Sequence, residues 1–196
     1  MTALSIAFTT TAVPGQQQAA TPAGFELKWG VNLSHWLSQC FGWSHRDTFI
    51  TEKDIAFIAS AGYDHVRIPI DEAELWKADG NPSEDSFGYL TRCLDWCAKH
   101  NLRAIVDLHI LKSHYFNAAV EGGKITLWSD PAAQEQFLKL WADISGRLKK
   151  YPVNQVAYEL MNEPVAPDPE EWNRLKTHHH EILLLSFDSH LQHDCL

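Results

Sequence analysis

From Lys28 onward the chain alternates short β-rich runs with stretches whose apolar residues recur every three or four positions, and it does so four times. The first run, Lys28 to Leu33, precedes a helical stretch from Thr51 to Ala61. In that stretch Ile55, Ile58 and Ala59 form a stripe, and Gly62 is a stop signal. The second run, Asp64 to Ile70, is β-branched and bounded by turn formers. Its helix is expected at Ser86 to His100, with Leu90, Cys93, Leu94 and Cys97 at i, i+3, i+4 and i+7. The third run, Leu102 to Leu108, leads through a long loop to Asp130-Pro131, a capping residue followed by proline at the first helical position. Phe137, Leu140, Trp141, Ile144 and Leu148 mark the buried face of that helix. The fourth run, Asn154 to Met161, precedes a second Asp-Pro start at Asp168-Pro169, where Glu170 and Glu171 suit the helix dipole. Four βα units in series predict a parallel sheet of the α/β class with right-handed crossovers.

The pattern stops at both ends. Residues 1–24 are small, polar and rich in Thr, Gln and Ala, and read as a leader or partial signal segment, which implies a secreted or periplasmic protein. Beyond about Leu175, the segment Lys176 to Leu196 crowds five of the chain's eleven histidines around an Ile-Leu-Leu-Leu block. No apolar stripe continues the one begun at Trp172, so residues 176–196 read as an atypical tail, of the kind a frameshift or alternative end produces.

Composition narrows the function. A hydrophobic content of 45% with 21% charge is that of a globular protein. A formal charge of -9, with no basic cluster beyond Lys149-Lys150, would repel phosphate backbones and excludes nucleic acid as a partner. The longest apolar runs, such as Ile182 to Leu185, fall far short of the roughly 20 residues that span a bilayer, so no membrane partner is expected. Cys93 and Cys97 fall at helical spacing in an apolar pattern and read as small core residues. His178, His179 and His180 are contiguous and do not share one helical face, so with Glu181, His190 and His193 they make a poor zinc site. No metal or cofactor is expected.

Parallel βα architectures place their chemistry at the C-terminal ends of the strands. Those ends are rich in polar groups: Asn32, His35 and Trp36 after the first run, Arg67 within the second, His109 after the third, Asn162 and Glu163 after the fourth. Each alone is explained by packing or pairing, but four strands delivering such residues to one rim point to a functional cleft. Glu163 follows an apolar strand, where partial desolvation would favour the protonated carboxyl that a general acid needs. Asn162 can orient a sugar hydroxyl. Trp96 and Trp141 lie on helical stripes and read as core. Trp36, Trp43, Trp128 and Trp172 lie near the presumed rim, and Trp36 is the first candidate for stacking on a pyranose ring.

With these residues in view, the sequence resembles glycoside hydrolase family 5, the cellulase-type enzymes that fold as a (β/α)8 TIM barrel. GVNLSHW (Gly30 to Trp36), VRIPI (Val66 to Ile70), IVDLH (Ile105 to His109) and the Asn-Glu-Pro of ELMNEP (Glu159 to Pro164) look like its first four strands in order. The resemblance covers residues 25–175 and implies the N-terminal half of the barrel, about four βα units. It implies a retaining double displacement on β-linked glucan, endo-β-1,4-glucanase-like, in which one carboxyl protonates the leaving oxygen and a second, about 5 Å away, attacks the anomeric carbon. By motif Glu163 is the acid/base, Arg67 holds the nucleophile carboxylate, Asn162 bonds the 2-hydroxyl and His109 shapes the cleavage subsite. Many members carry a second His where this chain has Ile110. The family's nucleophile sits on the seventh strand, and such barrels take roughly 250 residues. Glu181 and Asp188 lie too close in sequence to Glu163 to play that part, so the chain is expected to lack a nucleophile and to be catalytically incomplete. The competing expectation is a non-catalytic saccharide-binding or half-barrel interaction module that self-associates through open sheet edges.

Overall fold

A computed structural model describes residues 25–40, 45–117 and 124–186, with side chains of the last helix described up to Thr177. The leader, Trp43 and residues 187–196, with Asp188, His190 and His193, lie outside the described residues, as do the side chains of His178 to Glu181. Four strands, β1 (Gly30–Asn32), β2 (His65–Asp71), β3 (Arg103–Ile110) and β4 (Val156–Glu159), form one sheet in the order β1-β2-β3-β4. All three pairings are parallel. Among the described residues β1 and β4 therefore each have a single strand neighbour.

Among the described residues six helices connect and cover the strands: α1 (Arg46–Phe49), α2 (Glu52–Ser60), α3 (Glu72–Leu75), α4 (Glu84–Lys99), α5 (Pro131–Leu148) and α6 (Pro169–Ser186). Their starts follow from local chemistry. The Asp54 carboxylate accepts from the Thr51 amide at 2.8 Å at the head of α2. Asp130 Oδ1 accepts from the Ala132 amide at 3.0 Å, with Pro131 at the first position of α5. Asp168 does the same for Glu170 at 2.8 Å at the head of α6. Gly62, at φ 88°, ends the α2 unit in a conformation that L-residues rarely adopt. α6 stays helical past Leu175, across the point where the apolar stripe fails in the sequence.

Strand alternation sorts the side chains into two faces. Val66, Ile68 and Ile70 of β2 and Ala104, Val106 and Leu108 of β3 are fully buried and belong to the same core as the stripes of α2, α4 and α5. Cys93, Cys97 and Trp141 lie in that core, while Trp96 is half-buried against it. Tyr158 of β4 meets Trp141 edge-on at 5.6 Å, so β4 turns the same face to the helices. The opposite face carries Asn32, Arg67, Asp107, His109 and Glu159.

Candidate active site

Arg67 is the centre of that face. Its Nε donates to Glu159 Oε2 at 2.7 Å and its Nη2 to Glu159 Oε1 at 2.8 Å, a two-pronged bond between β2 and β4. Nη2 also reaches Asp107 Oδ2 at 2.8 Å and Asn162 Oδ1 at 3.0 Å, and Nη1 reaches Asn32 Oδ1 at 3.1 Å. One guanidinium thus ties together the ends of all four strands. Asp107 is fully buried, and burial pushes its carboxyl above the ordinary range against the opposing pull of its bond to His109. His109 Nδ1 lies 2.7 Å from the same Asp107 Oδ2. The His109 ring meets Phe116 edge-on at 6.1 Å.

Past β4 the chain keeps to the sheet for one more bond, Asn162 N to Leu108 O at 3.1 Å, and then turns sharply. Glu163 sits at φ 44°, and the amide of Val165 returns to the Glu163 carbonyl at 2.7 Å. A non-glycine residue held in that region is a local strain of the sort that gathers at functional sites. Trp128 Nε1 donates to the Val165 carbonyl at 2.9 Å and meets Trp172 edge-on at 6.3 Å, bracing the turn that carries Glu163. Among the described residues no group of His, Cys, Asp and Glu is arranged to hold a metal ion.

Two expectations change. Glu163 is exposed, so the desolvation anticipated from its apolar strand is absent: the turn carries it off the strand onto the open rim, and Asn162 takes the buried position. Trp36 is 1% exposed, with its indole N–H donating to the Arg46 carbonyl at 3.0 Å, so it offers no ring face to a sugar. The reason is the loop after β1. His35 (φ 58°) and Gln39 (φ 52°) fold that loop back onto β2, where Leu37 bridges to Ile70 and Trp36 drops into the core. His35 itself stays exposed on the rim loop, its Nδ1 3.2 Å from the Gln39 carbonyl. Asp71 Oδ2 fastens this loop by accepting from the Gln39 amide at 2.7 Å. Burial, the largest influence, pushes Asp71 above the usual carboxylate range.

Arg67, His109 and Asn162 are brought together as the sequence suggests. Glu159 and Asp107 were missed, although their alternation gave a signal. Asp107 has the parity of His109 within one strand, and an acid inside an apolar run needs a partner on the same face.

Comparison with known proteins decides the family. A model described as cellulase (glycosyl hydrolase family 5) matches residues 20–184. The chain belongs to glycosyl hydrolase family 5. The family's Endoglucanase C of Acetivibrio thermocellus is 42% identical over 156 residues, 76% of this chain and 43% of that protein. Cellodextrinase A of Ruminococcus flavefaciens is 34% identical over 136 residues, 68% of this chain and 39% of that protein. The solved structure of Thermotoga maritima Cel5A in complex with cellobiose superposes with a TM-score of 0.65 at 26% identity, covering 83% of this chain and 49% of that one. The chain therefore spans less than half the length of these relatives, and its four strands are a partial (β/α) barrel of the family 5 kind.

Proposed function

We propose that these residues form the acid/base side of a retaining glycoside hydrolase site acting on β-1,4-linked glucan. The carrying observation is the Arg67 network, which gathers the ends of four strands and lies close enough to the exposed Glu163 for its charge to act on the guanidinium. In the proposed reaction Glu163 gives its proton to the glycosidic oxygen as the bond from that oxygen to the anomeric carbon breaks. A nucleophilic carboxylate takes up the anomeric carbon, and water, deprotonated by Glu163, then releases the sugar. Asn162 has its Oδ1 committed to Arg67, which leaves its Nδ2 to donate to the substrate 2-hydroxyl. His109 lines the subsite next to it.

Glu159 is not the nucleophile in this reading, because both of its oxygens are held by Arg67. In this reading the attacking carboxylate is none of those in the Arg67 network, and the purified chain is not expected to turn over substrate by itself. The test is hydrolysis of soluble β-glucan by the purified chain. No turnover is expected, and robust turnover abolished by Glu163→Gln would overturn incompleteness. The relatives' names, an endoglucanase and a cellodextrinase, support the glucan class. Action on an extracellular polymer implies export, which N-terminal sequencing of protein from the culture medium would check.

One observation favours a second reading. Among the described residues β1 and β4 each have a single strand neighbour, so the sheet offers two edges for pairing with another chain as a saccharide-binding assembly. Size-exclusion chromatography with light scattering tests it, and a clean monomer would count against it.

A further inference from the structure

A single oxygen, Asp107 Oδ2, lies 2.8 Å from Arg67 Nη2 in an ion pair and 2.7 Å from His109 Nδ1. An ionised carboxylate only accepts, so an imidazole nitrogen at hydrogen-bond distance from it must carry the hydrogen. This holds wherever Asp107 is ionised, the state that its ion pair with Arg67 favours. The two ring nitrogens lie on opposite sides of an imidazole, and a bond from Nδ1 inward to a fully buried carboxylate turns Nε2 away from it.

We propose that Asp107 is a positioning residue that holds neutral His109 as its Nδ1–H tautomer, so that Nε2 offers a lone pair to a sugar hydroxyl. The sugar rests on the function proposed above; the tautomer rests only on the geometry. Asp107 is the hydrogen-bond partner of Nδ1 among the described residues, so its removal frees the hydrogen there. The ring is then free to protonate at Nε2, which would present a donor where the site needs an acceptor. Asp107 also holds Arg67, so the same carboxylate sets the polarity of one residue and the place of another.

The experiment is long-range ¹H–¹⁵N NMR of the labelled full chain at about pH 8, above the ordinary histidine range. His109→Gln identifies the His109 signals. The wild type should show a protonated Nδ1 and an unprotonated Nε2. Asp107→Ala should move the majority to Nε2–H, whereas Asp107→Asn, which keeps a carbonyl acceptor in the same volume, should retain Nδ1–H. A wild type that is mainly Nε2–H overturns the proposal without any variant, and so does a folded Asp107→Ala chain that keeps Nδ1–H. Cellobiose is then titrated in. It should shift the wild-type Nε2 signal and bind Asp107→Ala roughly tenfold more weakly, the loss of one hydrogen bond. The stated tautomer with no response to cellobiose would remove the glucan reading and leave the positioning role standing.

Discussion

Glu159 meets Arg67 with both carboxylate oxygens, at 2.7 and 2.8 Å, across 92 residues of sequence. Because Arg67 also serves Asp107, two carboxylates face one guanidinium on the sheet face that carries the site. The two are unequal. Asp107 is wholly buried, whereas the Glu159 side chain keeps 37% of its exposure.

That inequality sets a ranking of substitutions. Arg67→Met strands the buried Asp107 charge and should cost about 3–5 kcal/mol. Glu159→Gln loses a pair open to solvent and should cost about 1 kcal/mol or less. Urea denaturation midpoints compare them, and equal losses would show that burial does not decide the energetics of this cluster.

Glu163 separates chemistry from stability. Glu163→Gln should leave stability within about 0.5 kcal/mol, as for other exposed sites. Glu163→Gly should raise it by up to about 1 kcal/mol, because a left-handed conformation costs an L-residue about 1–2 kcal/mol and glycine's extra entropy returns about 0.5–1 of that. Thermal unfolding of both variants measures the difference. A loss of stability in the glycine variant would place the side chain, rather than the backbone, in control of the turn.

Asp71 should tilt the stability profile with pH. Burial raises its folded pKa above the unfolded value of about 3.9, so the fold prefers the protonated form. That contribution is present below about pH 3.9 and is lost as pH rises through the folded value. Asp71→Asn keeps an acceptor for the Gln39 amide and removes the titration. Its stability relative to wild type should therefore climb from about pH 4 upward. Urea midpoints measured between acid and neutral pH decide it, and a difference that stays constant with pH would refute the assignment.

His114 acts in the opposite sense. Its ring is 1% exposed and meets Trp128 edge-on at 5.7 Å, and burial holds its pKa below the ordinary range. Below about pH 6.5 the unfolded chain takes up a proton that the folded chain refuses, so stability falls as pH drops through that window. His114→Phe preserves the ring contact and should flatten this acid limb. Parallel thermal melts of the two proteins give the answer, with an unchanged limb ruling His114 out.

Much of this was legible in the sequence. The first and fourth β-rich runs contain their strands, whereas β2 runs on to Asp71 and β3 to Ile110, past the expected ends at Ile70 and Leu108. α2, α5 and α6 follow Thr51, Asp130 and Asp168 as expected, and α4 begins at Glu84 rather than Ser86. The short helices α1 and α3 were not, because four residues are too few to show a helical period. Trp36 was misread for a different reason. A loop tryptophan looks like a rim residue until two positive-φ turns, which no local propensity announces, send it inward. The acid/base candidate was found by its motif, whereas the carboxylates that organise its neighbours lay inside strands where only facing-residue parity reveals them.

The order of strands in space is the order of strands in the chain. Among the described strands each pairs with the next in sequence, so loop-closure distances stay short and contacts can accumulate in sequence. During synthesis from the N-terminus, β1 and α2 would be available as a template when β2 emerges, and each later unit would add to an edge already built. The same arrangement that leaves β1 and β4 at the margins thus makes growth of this sheet vectorial, with the Arg67 cluster completed only when Glu159, on the last strand, arrives to close it.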